Sequence, residues 1–187
     1  TGFFKFFPIK DSPLNAYLKI LIALLCCLKW AMLPLVTSAQ TPTNPVTVKV
    51  LKVFQSDGPS SAQSKLVGDW DMAGLKALPQ HSFTTHTPWF KQAVTFTGPL
   101  VRDVLSNAKV KGVTLTAMAL DEYKSKIPLS DVHTFDVILA HSINGEPLNP
   151  KNKGPLFIVY PYDSKKELQS VLYYQRSVWQ LTTLTVE

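Results

Sequence analysis

The sequence predicts an α+β fold that is mainly β: one compact domain of mixed sheets with short helices. Three observations carry this expectation. Short runs of apolar residues alternate with period two, the signature of half-buried strands. Fourteen prolines and eight glycines are spread over the 187 residues, which excludes a long-helix bundle. No regular alternation of strands and helices marks a parallel, doubly wound sheet. Hydrophobic residues make up 45% and charged residues 17%, enough apolar surface for a core and unlike a disordered chain.

The elements follow in order. Val46, Val48 and Val50 alternate and open a strand that runs to Phe54. A loop is expected over residues 56–61. Residues 71–78 read as a short helix, with Asp71 at its cap and Pro79 ending it. His81 to Thr85 reads as extended, and Val94 to Thr97 as a strand closed by Gly98-Pro99. Leu100, Val101, Val104 and Leu105 then recur at helical spacing, with Pro99 placed to start that helix. Val113, Leu115, Ala117 and Ala119 share one face of a strand. Tyr123, Ser125 and Ile127 face one way on an adjacent strand, with Lys124 and Lys126 opposite. Asp136 to Ser142 is a strand leading into a tight turn at Asn144-Gly145. Leu156 to Tyr160 is a buried strand, and Ser177 to Val186 is the last. The total is seven or eight strands and two or three short helices, without an internal repeat.

The N-terminus reads differently. Lys5, Lys10 and Lys19 precede an uninterrupted apolar run of nine residues, Ile20 to Leu28. Thr37 and Ala39 then supply small residues at the spacing of a cleavage site, so residues 1–39 are expected to be a signal peptide. The alternative is a retained anchor, against which stands the ~20 residues that a spanning helix needs. Residues 40–45 form a polar, proline-marked linker, and residues 46–187 the exported domain, with a periplasmic location expected. The segment 1–39 holds Lys5, Lys10, Lys19, Lys29 and Asp11, so half of the net +6 charge belongs to it. Only Arg102 and Arg176 are arginines, and no basic cluster asks for a nucleic-acid partner. Both cysteines, Cys26 and Cys27, also lie in that segment. The domain therefore has no disulfide to form and no thiolate for catalysis or a soft metal.

Other chemistries are poorly marked. The glycines form neither a dinucleotide fingerprint nor a phosphate loop, and no nucleophile elbow is present. His81 and His86 are five residues apart, so on one regular strand they point to opposite faces and need a bulge to share a metal. Aromatic and polar residues instead cluster at strand ends: His86-Thr-Pro-Trp-Phe-Lys91, Asp121-Glu-Tyr123, Tyr160-Pro-Tyr-Asp163 and Tyr173 to Trp179. Aromatics beside carboxylates suit a flat heteroaromatic ligand, whose rings stack and whose N–H groups pair with carboxylates. Capping the ends of a β core is the other reading of these aromatics.

Five pieces in order carry a family resemblance: Thr97-Gly-Pro-Leu-Val-Arg-Asp-Val-Leu105, Tyr123-x-x-x-Ile-Pro-Leu129, Asp136-Val-Ile-Leu-Ala140 with Asn144-Gly-Glu-Pro147, Lys153-Gly-Pro-Leu156, and Arg176-Ser-Val-Trp179. Together they resemble the molybdopterin-binding domain of the sulfite oxidase family, over residues 46–186. The resemblance implies the mixed, mostly β fold of that family. Its enzymes hold molybdenum partly through a cysteine thiolate, whose position falls near His86 or Thr87 here. The family's Ser-Val-Lys-Trp-like run reads Ser177 to Gln180 here, with Trp179 at the lysine position. Both departures weigh against a molybdenum enzyme and suit a pterin without metal.

The pattern is similar to a subgroup of short, exported members that look like pterin-binding proteins without oxidoreductase activity. Some of these report as ligand sensors to membrane signalling proteins that control cyclic-di-GMP, so a periplasmic domain of such a protein is the partner the resemblance implies. The resemblance assigns Trp89 and Trp179 as stacking surfaces, and Asp121 as acceptor for the aminopyrimidine N–H groups. His86, Thr87, Tyr123, Tyr162, Arg176 and Ser177 line the pocket in this reading. For Asp121 and Arg176 a surface ion pair is an equal alternative. Arg102 is expected to be a surface or packing residue. The alternative function is a molybdopterin oxidoreductase with a non-cysteine metal site.

Overall fold

The computed structural model describes residues 47–58 and 63–187, which belong to one compact unit, Pro45–Glu187. The expected signal peptide (1–39), the linker (40–45) and Val46 lie outside the described residues.

Eleven strands and four short α-helices are present among the described residues. Strands β1 (Lys49–Ser56) and β2 (Ser64–Asp71) form an antiparallel pair that leads into helix α1 (Met72–Ala77). Strands β3 (Gln80–Thr87) and β4 (Phe90–Pro99) form a long hairpin, followed by α2 (Val101–Asn107). Then come β5 (Thr114–Ala119), β6 (Lys124–Pro128) and α3 (Leu129–Thr134). Short strands β7 (Ile138–Ala140), β8 (Ser142–Ile143), β9 (Glu146–Pro147) and β10 (Phe157–Val159) precede two 3-10 turns, Tyr162–Ser164 and Lys166–Leu168. Helix α4 (Val171–Gln175) and β11 (Leu181–Val186) close the chain.

These strands make three sheets, in the orders β2-β1-β11-β5-β6, β3-β4-β8-β9 and β10-β7. All pairings are antiparallel except β1 with β11, so the last strand returns beside the first. The core lies between the sheets and the short helices. Leu51 and Val53 of β1, Leu115 and Ala117 of β5, and Leu181, Leu184 and Val186 of β11 are buried in it. Phe96, Phe157, Ile158 and the segment Val137–Ala140 join them from the other sheets.

Several local expectations follow the sequence closely. Asp71 caps α1, its carboxylate accepting from the Gly74 N–H at 2.7 Å. Helix α2 buries Val101, Val104 and Leu105 on one stripe. Asn144 and Gly145 both have positive φ, 49° and 85°, which is the two-residue turn that joins β8 to β9. Gly98 lies so close to β7 that a Cβ there would sit 2.0 Å from the Leu139 carbonyl oxygen.

Other expectations are corrected. Val113 is exposed and precedes β5, because its N–H is tied to the Glu187 carbonyl before the ladder begins. Strand β2 is additional to the expected strands: its residues do not alternate apolar and polar, and none of them is fully buried. The stretch Asp136–Ser142 divides into β7 and β8, which pair in different sheets. Residues 177–180 are not part of the last strand. Gln180 takes φ 47° and Trp179 makes only an isolated bridge to Phe157, so β11 starts at Leu181. Helices α3 and α4 are additional, each too short to show a full amphipathic period.

Candidate functional site

Four chain segments meet at a cavity of about 350 Å³, within the ~300–1,000 Å³ usual for small-molecule sites. The β3–β4 hairpin tip brings Trp89. The turn between β5 and β6 brings Asp121 and Tyr123. Helix α4 brings Tyr174 and Gln175. The irregular segment after α4 brings Ser177 and Trp179.

Each is fixed by local chemistry. The Thr87 hydroxyl is buried and accepts from the Trp89 N–H at 3.3 Å, which shapes the hairpin tip. The Trp89 ring meets Phe157, Tyr162, Tyr174 and Trp179 edge to face, with centroids 5.4 to 6.2 Å apart. Asp121 Oδ1 accepts from the Tyr123 N–H at 3.1 Å, closing a turn in which Glu122 takes φ 66°. The Tyr123 hydroxyl donates to the Gln175 carbonyl at 3.0 Å and so ties that turn to α4. Ser177 donates to the Tyr173 carbonyl at 2.9 Å and shares a hydrogen bond with the buried Tyr162 hydroxyl. Burial pushes the Tyr162 phenol well above its ordinary value, so it stays protonated.

The cavity therefore brings together Trp89, Asp121, Tyr123, Ser177 and Trp179 of the residues singled out from sequence. Tyr162 stands behind Trp89 and Ser177 rather than on the cavity wall. Thr87 and His86 line an adjoining cleft of about 470 Å³, which shares Tyr174 with the cavity. There Asp163 Oδ2 accepts from both the His86 N–H and its Nδ1, each at 2.8 Å. The His86 backbone N–H, and then its ring, hold the Asp163 carboxyl below the usual carboxylate range.

Arg176 does not line the cavity. Its guanidinium pairs with Asp131 at 2.7 Å, and Asp131 also accepts from the Tyr160 hydroxyl at 2.9 Å. Neither alternative held for Arg176, pocket lining or a surface ion pair: the pair is largely buried, the two side chains being only 16% and 9% exposed. Asp121 makes no ion pair among the described residues, whereas Arg102 pairs with the exposed Asp136 at 2.8 Å.

Sequence reasoning missed Val171, Tyr174 and Gln175. They sit at i, i+3 and i+4 on one face of α4, a readable signal once that helix is recognised. It also missed Lys153, whose ammonium lies 3.8 Å from the Trp179 ring centroid.

Asp121 is the only charged side chain on the cavity wall among the described residues, and most of that lining is apolar or aromatic. That set can stack a flat ring and accept hydrogen bonds from an amino-substituted edge. It fits the pterin ring. It does not fit a metal held by thiolate, because its lining among the described residues holds no cysteine. No group of three or more His, Cys, Asp or Glu among the described residues could hold a metal ion. The bulge between Thr85 and Thr87 brings His81 and His86 into no such group.

Comparisons with known proteins agree with this fold. A family model, the oxidoreductase molybdopterin binding domain, matches residues 67–167. Among solved structures, the chain is similar to the sulfane dehydrogenase SoxCD from Paracoccus pantotrophus, with a TM-score of 0.52 and 17% identity. The match covers 73% of this chain and 38% of that one, so the chain spans well under half of that relative. No curated protein matches the chain.

Proposed function

The chain belongs to the oxidoreductase molybdopterin-binding domain family and has its sulfite-oxidase-type fold, and we propose that it binds a metal-free pterin against the wall formed by Trp89 and Trp179 and carries out no redox chemistry. Membership implies a pterin or molybdopterin cofactor, and the cavity wall, which holds no cysteine, favours the pterin without metal. The observation that carries it is the wall of the cavity: two indoles and Tyr174 around a single carboxylate, Asp121. In the bound state the pterin ring lies against the indoles, and Asp121 accepts from its amino and ring N–H groups. Tyr123 and Gln175 hold the Asp121 turn in place through their mutual hydrogen bond.

A role as a ligand-responsive partner of a membrane signalling protein, in cyclic-di-GMP control, extends this reading by family analogy. It places the domain in the periplasm, with residues 1–39 as the export signal. Leu120, Tyr123, Val171 and Leu172 support it. They are 47% to 67% exposed, and Tyr123 and Val171 also line the cavity, so a bound ligand and a docked protein would share a rim.

Titration of the purified protein with pterin, followed by calorimetry, tests the binding claim alongside a molybdenum assay on protein from molybdate-fed cells. Saturable 1:1 binding by metal-free protein is expected. Stoichiometric molybdenum, with turnover of an oxidisable substrate, would establish the oxidoreductase alternative instead.

A further inference from the structure

Lys153 belongs to a loop outside the cavity, yet the backbone delivers it to Trp179. The Gln180 N–H donates to the Lys153 carbonyl at 3.0 Å, and the Gln180 side chain donates to the Pro150 carbonyl at 2.8 Å. On either side, Ile158 donates to Val178 and Leu181 donates to Leu156, both at 3.0 Å. Residues 150–158 thus run alongside 178–181 in a fixed register. Gly154 is packed so tightly in this loop that a Cβ would sit 2.3 Å from the Leu148 carbonyl oxygen.

In that register the Lys153 ammonium sits 3.8 Å from the centroid of Trp179 and 6.0 Å from that of Trp89. Trp179 lines the cavity and Lys153 does not, so the ammonium stands behind the cavity wall. No carboxylate of the described residues lies within ion-pairing distance of it. The residue is half-buried, and this partial withdrawal from water lowers the pKa of its amine. A cation over an indole face is the strongest of the cation–π pairs, and it strengthens as the cation is desolvated. Phe157 supports the same two indoles from the core side, at 5.4 and 6.1 Å.

We propose that Lys153 is a positioning residue for the ligand cavity: its charge, held against the outer face of Trp179 and near Trp89, fixes the two indoles as a ready-made stacking wall. The wall is then ordered before the ligand arrives, which reduces the ordering cost of binding. The role in binding rests on the pterin reading of the cavity.

The test compares Lys153→Met, which keeps the aliphatic stem, with Lys153→Arg, which keeps the charge, both in the full chain. Two measurements are made: the indole N–H signals of ligand-free protein by NMR, and pterin affinity by calorimetry. Lys153→Met is expected to move or broaden the Trp179 signal and to weaken pterin binding roughly tenfold, with the dichroism spectrum unchanged. Lys153→Arg is expected to keep the signal and to stay within about threefold of the parent affinity. Unmoved indole signals in Lys153→Met would overturn the proposal. So would an Arg variant as impaired as the Met variant, since stem packing rather than charge would then be at work. If the parent protein binds no pterin, the functional reading fails, and the indole signals still decide the role of Lys153.

Discussion

The indole of Trp89 meets that of Trp179 edge to face, with centroids 5.6 Å apart and planes at 86°. The two rings have unequal duties. Trp89 also packs on Phe157, Tyr162 and Tyr174, whereas Trp179 adds only Phe157 and the Lys153 ammonium. The packing argues that Trp89→Ala destabilises the domain by about 3 kcal/mol, as large aromatic truncations in cores do. Trp179→Ala is expected to lose most pterin affinity with a distinctly smaller fall in Tm. Thermal melts and calorimetry on both variants separate the two effects.

Asp121 is exposed and contributes one backbone hydrogen bond, so its loss should leave stability nearly unchanged. Its carboxylate is the only anion on the cavity wall among the described residues. Asp121→Asn replaces one of two acceptor oxygens by a donor that faces the ligand's own N–H groups. Affinity for pterin should fall by roughly 30-fold. Equal affinity in parent and variant would place the aminopyrimidine elsewhere.

Arg176 behaves oppositely. It pairs with the buried Asp131 and lines no part of the cavity. Arg176→Met strands a buried carboxylate and should cost about 3 kcal/mol. Pterin affinity should stay within about twofold, because the altered side chain shares no partner with the ligand. Pairing Arg176→Met with Asp131→Leu should recover part of the lost stability, measured by a double-mutant cycle in urea.

His141 gives the domain an acid-side weakness. Gln80 Oε1 can only accept, so the His141 Nε2, 2.9 Å away, carries the hydrogen. Its Nδ1 is buried without a partner, and protonation would leave a second N–H unsatisfied. Burial, and then the charge of Lys76, lower its pKa from 6.5. The unfolded chain therefore binds the proton more tightly than the folded one. The stabilisation is complete above about pH 6.5 and is lost as pH falls through the lowered folded value. Tm of the parent should decline over that window. His141→Asn should remove this part of the slope.

Short-range signals were the legible part of this fold. The Asp71 cap, the Asn144-Gly145 turn and the alternation through Leu115, Ala117 and Ala119 each depend on neighbours in sequence, and each stands in the structure. Strand β2 was not legible, because its residues, Leu66-Val67-Gly68 among them, do not alternate and none is fully buried. The end of the chain misled for a related reason. Ser177 to Gln180 reads as strand by composition, yet pairing with residues 153–158 bends it away from the β11 ladder.

For the site, Trp89, Asp121, Tyr123, Ser177 and Trp179 were singled out from sequence and meet at one cavity. Arg176 was singled out with them but pairs with Asp131, 45 residues away in the chain. That partner could not be read without the fold. Lys153 was hidden likewise: its relation to Trp179 exists only through the pairing of two distant loops.

A native mass spectrum of the protein purified from molybdate-fed cells tests the central claim most directly. The account predicts an added mass equal to one small pterin, lost in Trp179→Ala, with no molybdenum present. An added mass equal to the heavier metal-bearing cofactor would contradict it and make the domain an oxidoreductase.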